Sequence, residues 1–325
     1  MAILVTGAAG FIGFHLAYRL LAQGERVIGI DNLNDYYDVS LKEARLARLS
    51  AAGSFVFHHI DVADQIQVDA VVDAAAPLDA VVHLAGQAGV RYSLVNPLAY
   101  IRSNVQGHVV VLEACRRLAS PPHIVYASSS SVYGSNAKLP FSVNDRTDQP
   151  LSLYGATKKS MEAISQSYAT TFGIQLTGLR FFTVYGPWGR PDMAAFLFAR
   201  KIIAGEPIPV FNGGDMRRDF TYIDDIVDGI LAAIALPPAA GTARHRLYNL
   251  GNHKPERLLD FVATLEASLG RTAVIDPQPL QLGDVKETCA DIEESRRDLG
   301  FAPSVSIAEG IPRFVAWFRA YYGID

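Results

Sequence analysis

Tyr154 and Lys158 lie one helical turn apart in Tyr154-Gly-Ala-Thr-Lys158, at the start of a stretch with helical periodicity. Residues i and i+4 share a helical face, so the phenol and the ammonium point the same way. A free tyrosine has a pKa of about 10, too high for a base at neutral pH. A nearby lysine cation favours the phenolate, and a phenolate can take a proton from a hydroxyl while hydride leaves its carbon. Alone, Tyr-x-x-x-Lys mostly marks a half-buried tyrosine beside a solvated lysine. It gains force from Ala127-Ser-Ser-Ser-Ser-Val-Tyr-Gly134, which closes a β-rich run. Four consecutive hydroxyls do little for a core and read as a polar turn or a substrate platform. Their position at the carboxyl end of a strand favours the platform, with one serine bonded to the reacting oxygen.

A second constellation lies at the other end of the chain. Thr6-Gly-Ala-Ala-Gly-Phe-Ile-Gly13 joins an apolar run to a helical one. Gly7 permits a tight turn, Gly10 lets the backbone approach a pyrophosphate, and Gly13 lets the helix pack on the strand. The free N–H groups around Phe11 and Ile12 then face the phosphates at a positive helix end. Asp31, followed by Asn32, ends the next β-rich run, where a carboxylate accepts both adenosine ribose hydroxyls and repels a 2′-phosphate. The cofactor expected is therefore NAD rather than NADP. Asp61-Val62 follows the third run, and Asp61 reads either as a contact to the adenine amino group or as a helix N-cap. Leu84, Ala85 and Gln87 follow the fourth, with small residues that let a cofactor pass close to the backbone. Asn104 is a polar insertion in an otherwise apolar helical pattern, either a cofactor contact or a solvated helix residue.

These groups need a scaffold. Ile3–Thr6, Arg26–Asp31, Ser54–His58, Ala80–Leu84, Ile124–Ser128 and Gln175–Phe181 read as buried strands. Phe11–Gln23, Val39–Leu49, Gln65–Ala75, Pro97–Leu118 and Leu151–Phe172 alternate with them as helices. The expected fold class is α/β, a doubly wound parallel sheet of the Rossmann type. After Arg180 the pattern loosens. Helical stretches near Asp192–Ala204, Asp224–Leu236, Arg257–Leu269 and Ile307–Tyr321 alternate with short strands and Pro/Gly turns. The expected division is residues 1–180 as the NAD-binding domain and 181–325 as a smaller mixed α/β substrate lobe, with elements free to interleave.

Half of the 325 residues are hydrophobic, enough for one large core and a lobe. A net charge of −4 with basic residues scattered in pairs argues against nucleic acid as a partner. The two cysteines, Cys115 and Cys289, show no metal-ligand spacing and suit a reducing compartment. The opening Met1-Ala-Ile-Leu-Val5 reads as a first strand rather than a signal peptide, and no run suits a membrane span. A cytoplasmic protein without metal is expected.

Taken in order, the glycine turn, Asp31, Ser128–Gly134 and Tyr154/Lys158 resemble extended short-chain dehydrogenases/reductases that act on nucleotide sugars. The resemblance runs through Arg180-Phe-Phe-Thr-Val-Tyr-Gly-Pro187 and Arg217-Arg-Asp-Phe-Thr-Tyr-Ile-Asp-Asp225. It implies a catalytic triad of Ser129, Tyr154 and Lys158, a diphosphate-binding arginine at Arg218 or Arg217, and Asp284 on the nucleotide ribose. It further implies that Tyr154 deprotonates the carbon-4 hydroxyl to give a 4-keto sugar. In the family's 4,6-dehydratases, Asp and Glu match Ser130 and Ser131; in its uronate decarboxylases the second is likewise Glu. With serines at both, the implied outcome is a keto sugar that turns over and regains its hydride on the other face, which is epimerisation.

Neutral hydroxyls at Ser130, Ser131 and Thr183 can also donate hydrogen bonds to a sugar carboxylate. Arg190 adds a cation; it could equally brace its loop or bind phosphate. With Asp31-Asn-Leu-Asn-Asp-Tyr-Tyr-Asp38 and Gly86-Gln-Ala-Gly-Val-Arg-Tyr-Ser93, these tracts look most like UDP-glucuronate 4-epimerases. Gly86 stands where Ala is expected and should only loosen its loop. A decarboxylase, a 4,6-dehydratase, a UDP-glucose/galactose 4-epimerase and a cofactor-sensing regulator are the other readings. In this family, long helices such as Pro97–Leu118 and Leu151–Phe172 pair across a two-fold axis, which implies a homodimer; the alternative is that both faces are covered within one chain.

Overall fold

The computed structural model describes residues 1–239, 244–281 and 283–324. Its centre is a parallel sheet of β1 (Ala2–Thr6), β2 (Arg26–Asp31), β3 (Phe55–His59), β4 (Ala80–His83), β5 (His123–Ser129) and β6 (Leu176–Phe181), completed by His245–Leu250. The spatial order is His245–Leu250, β6, β5, β4, β1, β2, β3. β1 pairs with both β2 and β4, so the winding reverses there and opens a crevice at the strands' carboxyl ends. Residues of β4, β5 and β6 are buried throughout, as expected of strands covered on both faces.

Helices α1 (Phe11–Ala22) and α2 (Val39–Ala52) cover one face, and their apolar cluster continues through Ile223–Ala235 into the C-terminal part. The other face packs α3 (Gln65–Ala75) and Gly107–Arg116 in a separate cluster. The C-terminal lobe carries Ala194–Ala204, Leu258–Leu269 and Ile307–Tyr322 with short paired strands, including Ile208–Phe211 beside Ile275–Gln278. It does not separate at residue 180. His245–Leu250 belongs to the large sheet, pairing with β6, and Ile223–Ala235 packs against α1.

One local feature departs from the sequence reading and a second lies outside it. Pro97–Leu118 is not one regular helix: Pro97–Tyr100 runs into a π-helical turn at Ile101–Gln106 before α-helix resumes at Gly107–Arg116. Such turns arise where a side chain is pulled out of register by a tertiary partner, and they concentrate at functional sites. The second is a buried ion pair. Glu162, on the helix Leu153–Phe172, takes both Nε and Nη2 of Arg180 on β6, at 2.8 and 2.9 Å. Burial alone would raise the Glu162 carboxyl; Arg180 and the Ser128 hydroxyl outweigh it and hold it below the ordinary range.

Candidate active site

The glycine turn sits at the carboxyl end of β1. A Cβ on Gly7 would come within 2.8 Å of the Ala85 nitrogen, so turn and Leu84–Ala85 strand end close on each other only because position 7 has no side chain. Gly13 faces the Gly7 carbonyl with no room for a Cβ. The N-terminus of α1, capped by Gly10, has no side chain bonded across it, so the N–H groups near Phe11 and Ile12 remain for phosphate oxygens. Asp31 is buried beside the turn. Its two oxygens accept from the Ala9 and Leu33 N–H groups at 3.1 and 2.9 Å, which fixes the carboxylate and leaves lone pairs for ribose hydroxyls. A glycine cradle, an open helix end and an anchored carboxylate together fit a dinucleotide.

Around it, Asn32 follows Asp31, and its side chain accepts from Asn34 N–H at 3.1 Å. Asp61 does not cap α3; Asp64 does, accepting from Gln67 N–H. Asp61 instead accepts from Ala63 N–H at 2.9 Å and pairs with Arg102 at 3.1 Å, while Val62 packs beneath Gly107. The Asp64 carboxylate stands one residue before the helix, as an N-cap should, and the register excludes Asp61.

The catalytic candidates converge from three elements. Ser152 caps the helix that starts at Leu153, accepting from Gly155 N–H at 3.1 Å, and Tyr154 and Lys158 follow on its inner face. Gly155 has no Cβ because one would lie 2.6 Å from the Ser131 carbonyl, so the helix start presses directly on the serine turn. Ser129 ends β5, where its hydroxyl draws the Tyr154 phenol downward, and it accepts from Ser131 N–H at 3.2 Å. Ser130 and Ser131 open the short 3-10 turn that follows and are partly exposed to the crevice. Ser128 points the other way, donating to Glu162 at 2.7 Å.

The electrostatics differ from the simple pairing of Tyr154 with Lys158. Lys158 is buried and donates to the Ala127 carbonyl at 2.8 Å; burial lowers its pKa to about 8. Burial pushes the Tyr154 phenol up, and the groups that pull it down are the Ser129 hydroxyl and the Arg190 cation, without reversing the direction. Lys158 is absent from that set. Helical spacing put the two on one face, but the ammonium is drawn to the carbonyl at the end of β5.

Asn104 is fully buried, so it is no solvated helix residue. From the π-helical turn its Oδ1 accepts from Gln87 N–H at 2.8 Å, and its Nδ2 donates to the Gln87 carbonyl and the Thr157 hydroxyl, each at 3.0 Å. Both amide donors are committed, and the residue ties the Gly86–Gln87 loop to the catalytic helix. This also corrects the expectation for Gly86. A Cβ there would lie 2.7 Å from Asn104 Oδ1 and 3.5 Å from Lys158 Nζ, so the glycine makes room for this knot rather than loosening the loop.

Thr183 and Arg190 both border a small apolar void with Phe11, Phe196 and Phe314, too small to hold a sugar. Arg190 is gripped by Asp192 through Nε at 3.0 Å and Nη2 at 2.5 Å, which leaves its Nη1 edge for a ligand. Arg218 pairs with Asp284 at 2.7 Å and also donates to the Arg217 and Lys286 carbonyls; Arg217 itself is exposed. The two residues expected at the diphosphate and ribose therefore meet. Sequence reasoning overlooked Tyr36 and Asp192, which lie at Arg190, and His15 and Arg45, which bond the turn before it. One signal was available: Leu41, Arg45 and Leu49 recur at i+4 on α2, a cation in the middle of an apolar stripe.

The sequence pattern of a group described as the NAD dependent epimerase/dehydratase family matches residues 3–251. UDP-glucuronate 4-epimerase 3 of Arabidopsis thaliana is 48% identical over 98% of this chain and 77% of its own length. A probable UDP-glucuronate 4-epimerase of Rhizobium meliloti is 45% identical over 99% of this chain and 98% of its own. The crystal structure of UDP-glucuronic acid 4-epimerase from Bacillus cereus, in complex with UDP-glucuronic acid and NAD, superposes with a TM-score of 0.91 at 33% identity, covering 99% of this chain and 100% of that one.

Proposed function

The chain belongs to the NAD dependent epimerase/dehydratase family, and from that premise we propose that it inverts carbon 4 of UDP-glucuronate to give UDP-galacturonate. The observation that carries this reading is the Tyr154 phenol under the pull of the Ser129 hydroxyl, beside Ser130 and Ser131, hydroxyls where elimination chemistry would need acids. Gly7, Gly10, Phe11, Ile12 and Gly13 hold the NAD pyrophosphate, Asp31 and Asn32 the adenosine ribose, Asp61 and Val62 border the adenine, and Leu84, Ala85 and Gln87 line the inner wall. When bound, NAD⁺ accepts hydride from carbon 4 and returns it.

Tyr154 takes the carbon-4 hydroxyl proton and later gives one back; Ser129 orients that oxygen, and Lys158 keeps the pocket cationic around it. Arg218 and Asp284 hold the diphosphate and nucleotide ribose. Ser130, Ser131, Thr183 and the free Nη1 of Arg190 hold the sugar carboxylate. The keto form is a β-keto acid, so this grip also keeps the carboxylate bond out of line with the carbonyl π system. Incubation with UDP-glucuronate and no added NAD⁺ tests the reading. A product of unchanged mass is expected, and one lighter by CO₂ or water overturns it. Arg190→His should release CO₂ and a UDP-pentose; clean epimerisation by this variant removes Arg190 from that role.

A homodimer and a reducing, cytoplasmic setting belong to the same proposal. Leu94, Val95, Leu98 and Ile101 form an exposed apolar run at the start of the expected pairing helix, and Leu98 alone is 75% exposed. Cys115 and Cys289 are unpaired thiols. Among the described residues, no helix is long and apolar enough to cross a membrane.

A further inference from the structure

Arg190 rides on a turn that its own lobe does not hold alone. In Gly186-Pro-Trp-Gly-Arg190, Trp188 has φ of 59°, the left-handed region, which a bulky L-residue adopts only at a cost in strain. Such a conformation persists only where the surroundings over-determine it. Here the surroundings come from the cofactor half. His15 on α1 donates from Nε2 to the Pro187 carbonyl at 2.8 Å. Arg45 on α2 donates from Nη2 to the Trp188 carbonyl at 2.6 Å and the Gly189 carbonyl at 3.3 Å. Its Nη1 donates to the Ala9 carbonyl in the glycine turn at 2.8 Å and to the Tyr37 oxygen at 2.9 Å. Tyr36, from the loop after β2, donates to Asp192 at 3.1 Å, and Asp192 grips Arg190.

Arg45 is the least expected member. It is fully buried, and no ion pair joins it to a carboxylate among the described residues. A buried cation without a counter-charge is costly, and the Leu41/Leu49 stripe on either side would accept a leucine. What leucine cannot do is reach two turns at once. The guanidinium fork has donors in fixed directions, and these span from the dinucleotide turn to the Trp188–Gly189 turn.

We infer that Arg45, with His15 and Tyr36, forms a positioning clamp that fixes Arg190 relative to the cofactor turn, and thereby decides between return of hydride and loss of CO₂. The inference rests on the uronate reading above. In the competing reaction the bond from carbon 5 to the carboxylate breaks. Its electron pair enters the carbon-4 ketone as an enolate, CO₂ departs, and carbon 5 takes up a proton from solvent. That step needs the breaking bond parallel to the carbonyl π orbital. An anchor held to a fraction of an ångström denies this alignment, whereas a displacement near 1 Å changes rates by about a hundredfold. The mark of a loosened clamp is therefore a changed product ratio, which simple destabilisation does not produce.

The test uses Arg45→Met, Arg45→Lys and Tyr36→Phe beside the wild-type enzyme, each given saturating UDP-glucuronate. UDP-galacturonate is quantified against released CO₂ and UDP-pentose products, with bound NAD measured in the same preparations. The decarboxylated share is expected to rise about tenfold or more in Arg45→Met, less in Arg45→Lys, and several-fold in Tyr36→Phe. Folded, NAD-loaded Arg45→Met and Tyr36→Phe that work more slowly at the wild-type product ratio overturn the clamp. If Arg45→Met does not fold, Tyr36→Phe, which loses one oxygen atom, decides on the same ratio. Clean epimerisation by the wild type beside unchanged variant ratios sinks the clamp alone. A wild type that does not epimerise UDP-glucuronate sinks the reading beneath it as well.

Discussion

Tyr154, the proposed base, and Lys158, one helical turn along, have different surroundings. Tyr154 answers to Ser129 and Arg190, and Lys158 to the Ala127 carbonyl. Removing the phenolic oxygen in Tyr154→Phe should lower kcat by about 10²–10⁴ while leaving NAD content unchanged, as read by turnover and cofactor absorbance. Lys158 predicts a pH effect on stability. Its folded pKa is lowered to about 8, whereas an unfolded lysine titrates near 10.4. Between these values the unfolded chain binds more protons, so the lysine's penalty is full below pH 8 and fades as pH rises towards 10.4. Lys158→Met should therefore be more stable than wild type at pH 7, with a gap that narrows by pH 10 in denaturant titrations. A pH-independent gap contradicts this assignment. At this scale the sequence disclosed types and spacing but not partners: i+4 spacing put Tyr154 and Lys158 on one face, whereas the pull of Ala127 is a tertiary fact.

Among the elements, the helix Leu153–Phe172 sets the chemistry because everything around it is fastened to it. Its start presses on Ser131 through Gly155, Thr157 bonds Asn104, and Glu162 pairs with Arg180. Arg180 also donates to Tyr133, whose hydroxyl donates to Asn249 on His245–Leu250 at 2.6 Å. Glu162→Ala leaves Arg180 buried and unpaired, and should cost about 3–5 kcal/mol in a urea titration. Strands β1 to β6 were legible because each is a short apolar run closed by turn residues. His245–Leu250 was missed because Arg246 and Asn249 interrupt its apolar pattern, and its partner β6 lies far back in the chain. The π-helical turn was invisible for a related reason. It depends on Asn104 reaching the Gln87 backbone, a contact no local pattern records.

For the whole molecule, the elements on either side of residue 180 interleave: a late strand completes the sheet, and the turn carrying Arg190 is pinned from α1 and α2. The glycine turn and the turn carrying Arg190 therefore share one framework. The exposed run from Leu94 to Ile101 predicts self-association. Leu98→Asp should shift a dimer to a 35.3 kDa particle in light scattering, whereas a wild-type particle already of that mass would remove the dimer from the account.

In the proposed epimerisation, one hydrogen leaves carbon 4 and the same hydrogen returns to its opposite face. UDP-glucuronate carrying deuterium at carbon 4, incubated with the purified protein in ordinary water, tests this most directly. UDP-galacturonate with the label retained at carbon 4 and no change in total mass is the expected product. Loss of deuterium to solvent, or a labelled product lighter by CO₂ or water, would contradict it.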